Sequence, residues 1–123
     1  MKPLSVVVAQ RSNETLDALS KSLNNHFRVV TPAVGLDEIL RAIPARTADA
    51  AIVDLEVLGL KEIQQIHNKF PNVTIVCTHR LPDEKMWTLA LSAGASDCCY
   101  SSDVRAIVQA ASSIQPMSRA HAA

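Results

Sequence analysis

One aspartate of this sequence is well placed to do chemistry. Asp54 directly follows residues 50–53, an apolar Ala-Ala-Ile-Val run that is typical of a strand buried on both faces. Ligands of open α/β sheets bind beyond the carboxyl ends of the strands. The sequence therefore predicts that the Asp54 carboxylate lies at the ligand-binding edge of such a sheet.

Other polar residues are predicted at the same edge. Arg11 and Thr78 follow other apolar runs, and the carboxyl ends of parallel strands meet at one edge of a sheet. Glu56 lies two residues beyond Asp54 and is the only nearby acid that can help to hold a metal ion. Together these residues offer two carboxylates, one hydroxyl and one positive charge.

The cysteines and histidines show no pattern of a catalytic or metal site. Cys77, Cys98 and Cys99 are an odd number of thiols, and their spacings do not fit zinc ligands. We interpret them as small buried residues of a protein in the reducing cytoplasm. No serine or cysteine nucleophile is obviously paired with His79, so we expect a histidine in a solvent-exposed loop.

Length and composition indicate one domain with an aliphatic core. The chain has 123 residues, of which 48% are apolar and 3% aromatic, as in parallel α/β sheets. Twelve basic residues balance twelve acidic ones, so charge gives no reason to expect nucleic acid or an anionic membrane as a partner. No apolar run approaches the length of a membrane span, and the N-terminus lacks the apolar region of a signal peptide. We expect a cytoplasmic location.

The elements that position these side chains alternate regularly along the chain. Buried strands are predicted at 4–9, 27–31, 50–54, 73–77 and 97–100. The first helix is predicted after a cap at Ser12 or Asn13, the second at 36–43 before Pro44, and the third from 60 to Pro71. The fourth is predicted to begin with Pro82 in its first turn and to stop at Gly94. The fifth is predicted from a cap at Ser102-Asp103 to about 114. Five strand–helix units with short, right-handed connections predict a flavodoxin-like, doubly wound α/β fold. Its five-stranded parallel sheet has the order 2-1-3-4-5 between two layers of five helices in all.

With Asp54 at the end of the third strand, residues 4–114 resemble the receiver domains of two-component response regulators. The resemblance rests on the element order, on Ile52-Val53-Asp54-Leu55, on Thr78 after the fourth strand and on Gly94-Ala95 before the fifth. It implies a receiver-like domain at 1–115, followed by a short flexible tail at 116–123. In that family the aspartate takes a phosphoryl group from a phosphohistidine of a kinase, with the help of Mg²⁺.

Several residues depart from the family pattern. The acidic pair that holds Mg²⁺ falls on Ala9-Gln10 or on Gln10-Arg11, where neither residue is acidic. The lysine that contacts the phosphoryl group falls on Ser101, which has no positive charge. We hypothesise that Arg11 forms an ion pair with Asp54 in place of the metal. The alternative is an Arg11 side chain in solvent.

Two further interpretations concern ligands and partners. Flavin binding is disfavoured, because the loop at Ser12 has no glycine and the chain has one tryptophan and one tyrosine. The fourth helix is apolar around much of its circumference, and Trp87 and Leu91 share one side of it. We expect these two residues at an interface, although a covered core edge with one exposed tryptophan also explains the pattern.

These observations favour an atypical (pseudo-)receiver domain that is not an enzyme and acts mainly in protein interaction. Residual phosphoacceptance would rest on Asp54, with Thr78 and Ser101 as weak phosphoryl contacts. The alternatives are a functional phosphorelay receiver, in which Glu56 and Asp54 help to hold Mg²⁺, and a small-ligand sensor at the same sheet edge. No cofactor is expected unless the site is active, in which case it is Mg²⁺. Expected partners are a histidine kinase or a downstream effector, and a second copy through the fourth and fifth helices.

Overall fold

The computed structural model describes residues 4–112, which form five consecutive strand–helix units. The strands are β1 (Ser5–Ala9), β2 (Val29–Pro32), β3 (Ala50–Asp54), β4 (Thr74–His79) and β5 (Asp97–Tyr100). The helices are α1 (Asn13–Leu23), α2 (Gly35–Ala45), α3 (Leu60–Lys69), α4 (Glu84–Ala93) and α5 (Val104–Ser112). The predicted end of the last helix near 114 and the predicted flexible tail at 116–123 lie outside the described residues.

The strands form one parallel sheet in the order β2-β1-β3-β4-β5, which confirms the predicted topology. One buried cluster packs α2, α3 and α4 against one face of the sheet. A second cluster packs α1 and α5 against the other face. Both clusters are almost entirely aliphatic, as the composition predicts, and they hold the carboxyl ends of β1, β3, β4 and β5 at one edge.

The second strand differs from its predicted position. It runs from Val29 to Pro32 instead of over 27–31. Phe27 lies before the strand and is buried among the residues that pack α1 onto the sheet. Pro32 is the last residue of β2 and pairs with Val8. A proline fits there because β2 is an edge strand.

Three other element ends also differ from the prediction. Helix α2 includes Pro44 in its last turn and ends at Ala45, since a proline this close to the end removes little of the helical hydrogen bonding. Pro82 lies before α4, not in its first turn, because the carboxylate of Asp83 caps the helix by accepting the Met86 N–H at 2.8 Å. Strand β4 extends to His79, two residues further than predicted.

The remaining helix ends agree with the sequence signals. Ser12 caps α1, and its hydroxyl and that of Thr15 form a reciprocal capping box. Gly94 ends α4 with φ of 118°, a left-handed conformation that favours glycine. Within the described part of the chain, none of the helices has both the length and the apolar character needed to cross a bilayer.

Candidate functional site

The carboxylate of Asp54 is buried at the end of β3. Its side chain has no exposed surface, and Oδ1 accepts the backbone N–H of Glu56 at 2.8 Å. Oδ2 is buried and has no hydrogen-bond partner among the described residues. Burial raises the pKa of Asp54, and the neighbouring charge of Glu56 adds to this, against the opposing effects of the Glu56 and Arg11 backbone N–H groups. One oxygen of Asp54 is thus left for a further partner.

Thr78 lies directly beside Asp54 in the register of β3 and β4, and it is fully buried. Its hydroxyl accepts a hydrogen bond from Nε2 of Gln10 at 3.2 Å. The same amide nitrogen donates to the carbonyl of Ala9 at 3.0 Å. Gln10 therefore holds, with a neutral donor, a position where the resemblance to receiver domains implies an acidic metal ligand.

Glu56 is held by Arg80 above this buried pair. Nε of Arg80 lies 2.9 and 3.0 Å from Oε1 and Oε2 of Glu56, and Nη2 lies 2.6 Å from Oε1. The backbone N–H of Arg80 also donates to Oε2 at 3.3 Å. These hydrogen bonds lower the pKa of Glu56 and raise the pKa of Arg80. Glu56 is consequently an ionised carboxylate whose charge is already paired.

The hypothesis of an ion pair between Arg11 and Asp54 needs correction. Nη1 of Arg11 lies 3.9 Å from Oε2 of Glu56, and the ion pairs of the described residues include none between Arg11 and Asp54. The cause is burial, since Asp54 lies under the turn that follows β3, whereas Glu56 is partly exposed. Glu56 thus stands between two arginines, and the alternative of an Arg11 wholly in solvent is also too simple.

The other predicted site residue, Ser101, lies in the turn between β5 and α5. Its backbone N–H donates to the carbonyl of His79 at 2.9 Å, which fixes that turn at the end of β4. Ser101 lines a cleft of about 380 Å³ together with Gln10, Arg11 and Arg80. The structure therefore brings Arg11, Ser101 and Glu56 to the edge where Asp54 and Thr78 end.

Sequence reasoning missed Gln10 and Arg80 as functional residues. The signal for Arg80 was its place two residues after Thr78, which matches the place of Glu56 two residues after Asp54. Because β3 and β4 are neighbours in parallel register, equal offsets bring the two side chains together. The signal for Gln10 was a polar residue directly after a wholly apolar strand.

The residues at this edge do not fit a bound Mg²⁺. That ion needs several oxygen ligands in octahedral geometry, usually including one or two free carboxylates. Glu56 is occupied by Arg80, and Gln10 directs amide hydrogens at its neighbours. Only Oδ2 of Asp54 is an unpaired carboxylate oxygen in this group, and within residues 4–112 no cluster of three His, Cys, Asp or Glu side chains is arranged for a metal.

His79 and the three cysteines near this edge are held within the fold. His79 is the partly buried last residue of β4, not a loop residue as predicted, and its Nδ1 accepts the N–H of Leu81 at 3.0 Å. Cys77 and Cys99 are buried and Cys98 is half-buried, and all three are free thiols. Burial raises the pKa of Cys77, raises that of Cys98 to about 11 and raises that of Cys99 to about 12. Protonated thiols are weak nucleophiles.

Trp87 and Leu91 both have exposed side chains on α4, as predicted. The exposed fractions are 44% for Trp87 and 37% for Leu91. The indole N–H of Trp87 donates to Oδ1 of Asp97 at 3.0 Å, which ties the ring to β5. Trp87 and Tyr100 line a shallow depression of about 320 Å³. We call Trp87, Leu91 and Tyr100 the α4–β5 surface.

Comparison with solved structures identifies the fold. The signal receiver domain of the putative response regulator NarL from Mycobacterium tuberculosis superposes with a TM-score of 0.76 at 18% identity, over 92% of this chain and 99% of that one. A LuxR-family two-component response regulator from Aurantimonas sp. SI85-9A1 gives 0.77 at 19% identity, over 88% and 81%. An atypical orphan response regulator, described as having a phosphorylation-independent regulatory mechanism, gives 0.73 at 18% identity, over 94% and 96%.

This chain therefore has the fold of response-regulator receiver domains. No family model matches its sequence, and no curated protein sequence does either.

Proposed function

We propose that this chain is an atypical receiver domain of two-component signal transduction, and that it acts mainly as a non-catalytic protein-interaction module. The observation that carries the proposal is the Glu56–Arg80 pair beside a buried Asp54. In an active receiver, positive charge must be available to a phosphoryl group on the aspartate. Here the two nearest guanidinium groups already share the carboxylate of Glu56.

Electrostatics adds to the barrier against phosphorylation. A phosphoryl group on Asp54 would place further negative charge close to Glu56. Gln10 supplies no carboxylate to recruit a compensating cation, and Ser101 supplies a hydroxyl in place of a positive charge. We therefore propose at most residual phosphoacceptance at Asp54, with Thr78 and Ser101 as weak contacts of the phosphoryl oxygens.

A working phosphorelay receiver is the second candidate, because Oδ2 of Asp54 has no partner among the described residues. That oxygen would attack the phosphorus of a phosphohistidine, forming an O–P bond as the N–P bond breaks and its electron pair returns to the imidazole. Arg80 or Arg11 would then have to leave Glu56 to meet the new charge. This candidate requires that the carboxylate of Glu56 turn away.

For the interaction role we propose the α4–β5 surface. Its three large side chains are exposed, although burying them would be favourable. Trp and Tyr are the residue types that most often dominate binding energy at interfaces. The proposed partners are a histidine kinase, a downstream effector or a second copy of this chain. The proposal includes a cytoplasmic location, which three free thiols support because disulfides are rare in that compartment.

Incubation with Mg²⁺ and acetyl phosphate, followed by intact-mass measurement, tests the proposal. We expect no phosphoryl adduct, or a trace that is lost in Asp54→Ala. A stoichiometric adduct on the wild type that is absent from Asp54→Ala would overturn the proposal in favour of the phosphorelay receiver. A beryllofluoride titration followed by NMR controls for a labile adduct, since a working site would give saturable shifts around residue 54.

A further inference from the structure

A cleft opens beside Asp54 on the face covered by α1 and α5. It has a volume of about 380 Å³ and runs from the carboxyl ends of β1 and β4 along α1 to the start of α5. One end is polar and is formed by Arg11, Arg80, Ser101 and Ser102. This volume lies in the range of small-molecule sites.

The wall of the cleft has a marked charge asymmetry. Both charged residues that line it are arginines, and no acidic residue lines it. The carboxylate that pairs with these arginines, Glu56, lies outside the lining. Two arginines and two serines that line one cleft supply the kinds of donor that bind phosphate, because each guanidinium can contact two oxygens of the anion.

The rest of the cleft is lined by apolar and hydroxyl side chains. Leu19 of α1, Val104 of α5 and the small side chain of Ala18 form its apolar part, and Thr15 and Ser22 of α1 lie beside them. A ligand that matches both ends therefore has an anionic head and a short apolar body. Such a ligand would bury its body between α1 and α5 and keep its head near the sheet edge.

The pairing of Arg80 with Glu56 does not prevent binding. The side chain of Arg80 is 61% exposed, and ion pairs with one partner in solvent contribute little to stability. A free dianion in the cleft can approach the exposed side of this guanidinium and offers it a stronger partner than a single carboxylate does, whereas a phosphoryl group on the buried Asp54 cannot approach from solvent. Binding would then exchange the partner of Arg80 and release Glu56 next to Asp54.

We propose that this cleft binds a small organic phosphate monoester, with the phosphate at Arg11, Arg80, Ser101 and Ser102. The apolar part of the ligand packs against Leu19 and Val104. The site deepens the small-ligand alternative for this sheet edge and goes beyond the proposed interaction role, because it requires neither phosphorylation of Asp54 nor a protein partner. Ligand binding and the Glu56–Arg80 pair are coupled, since both use the same guanidinium.

The test is a titration of the ¹⁵N-labelled protein with phenyl phosphate, followed by amide shifts. We expect saturable shifts at residues 10–11, 80 and 101–102, a weaker response to inorganic phosphate and none to phenol. Arg11→Gln and Arg80→Gln should each weaken binding by about tenfold, because each removes a charge-assisted contact. Arg41→Gln is the matched control, since Arg41 is an exposed residue of α2 outside the cleft.

The variant Glu56→Gln separates the proposal from a merely structural role of the arginines. It removes the carboxylate that competes for both guanidinium groups, so phenyl phosphate should bind more tightly. Weaker binding in this variant, shifts that both arginine variants leave unchanged, or the absence of saturable shifts would overturn the proposal. Phenyl phosphate binding is followed through amide shifts and forms no covalent bond, so its outcome is distinguishable from the covalent adduct that tests the proposed function.

Discussion

Arg80 and Glu56 lie just beyond the ends of two neighbouring strands, β4 and β3, and each is two residues after a buried residue of the site. Asp54 and Thr78 pair in the register of β3 and β4, and the two charged side chains meet above them with Nη2 and Oε1 2.6 Å apart. An acidic residue and a basic residue at these offsets neutralise each other at the mouth of the site. The backbone N–H of Glu56 donates to Oδ1 of Asp54 below this pair.

The first prediction concerns the effect of Glu56 on its neighbour. The charge of Glu56 raises the pKa of Asp54, whereas its backbone N–H lowers that pKa. Glu56→Gln removes the charge and keeps the N–H, so the pKa of Asp54 should fall towards its ordinary value. A ¹³C NMR titration of the Asp54 carboxyl measures this. Asp17→Asn, which removes one exposed carboxylate of α1, should leave that pKa unchanged, and an unchanged pKa in Glu56→Gln would contradict the prediction.

The second prediction concerns stability and pH. Burial raises the pKa of Asp54 in the folded state above the ordinary value of 3.8, so the native state binds the proton more tightly than the unfolded chain. The contribution of Asp54 to the free energy of unfolding should therefore fall as pH rises from about 3.8 to the folded pKa, and then level off. Asp54→Asn removes this dependence. The stability of the variant relative to the wild type should therefore be higher at pH 7 than at pH 3.

Urea unfolding at pH 3 and pH 7 gives the difference in the free energy of unfolding between wild type and Asp54→Asn, and the change of that difference with pH is the effect. Any fixed cost of the amide, such as an unpaired Nδ2 in place of Oδ2, is present at both pH values and cancels. Asp49→Asn is the control, because it makes the same change at another carboxylate that accepts a backbone N–H, that of Ser5. A stability gap between wild type and Asp54→Asn that does not change with pH would refute the assigned role of burial.

The sequence predicted the sheet because its signals are local and repeated. Five apolar runs separated by amphipathic segments have one economical arrangement, a parallel sheet, and such a sheet brings Asp54 and Thr78 to one edge. Helix ends with a polar cap or a glycine, such as Ser12 and Gly94, were also readable. Pro44 and Pro82 misled because a proline near a helix end is tolerated on either side of the boundary.

The pairing of charged side chains could not be predicted from local sequence signals, unlike the sheet and the helix ends. Arg11 and Arg80 have long side chains on turns, and the sequence does not specify which carboxylate each one reaches. Burial decides which carboxylate the arginines pair with, because Asp54 is fully buried while Glu56 is accessible to both guanidinium groups. The amide of Gln10 was likewise assigned only as the absence of an acid, although it forms two hydrogen bonds within the site.

The third prediction concerns the contact between α3 and α4 at Gly94. A Cβ on this residue would lie 2.5 Å from Cγ of His67, and φ of 118° is strained for any side chain. Gly94→Ala should therefore lower the free energy of unfolding by about 2–4 kcal/mol. Gly35→Ala is the matched control, since Gly35 also has positive φ but has no atom within 4 Å of the added Cβ. Chemical denaturation should show the larger loss at Gly94, and equal losses would rule out the clash with His67.

The fourth prediction concerns the α4–β5 surface. Trp87→Arg and Leu91→Arg introduce charge where an apolar partner would dock, so each should weaken self-association of this chain by tenfold or more. Sedimentation velocity across a range of concentrations measures the association. Val34→Arg is the control, because Val34 is 64% exposed and lies just before α2 on another part of the surface. If both α4 variants associate as the wild type does, the surface serves a different protein or none.

The last prediction restores an acid to the site. Gln10→Asp places a second carboxylate near Asp54 and removes the hydrogen bonds to Thr78 and to the Ala9 carbonyl. Without divalent ions the variant should be less stable than the wild type by about 1–3 kcal/mol, since a buried carboxylate loses hydration next to a like charge. Mg²⁺ should recover part of this loss, because an ion that binds only the folded state stabilises it by mass action.

Thermal unfolding with and without Mg²⁺ measures this recovery. The wild type should respond little to Mg²⁺, because Oδ2 of Asp54 is the only buried carboxylate oxygen without a hydrogen-bond partner among the described residues. The double variant Gln10→Asp with Asp54→Ala should lose the response, since it again has a single buried carboxylate. A wild type that is stabilised by Mg²⁺ as strongly as Gln10→Asp would show that Gln10 does not determine metal binding, and it would favour the phosphorelay receiver.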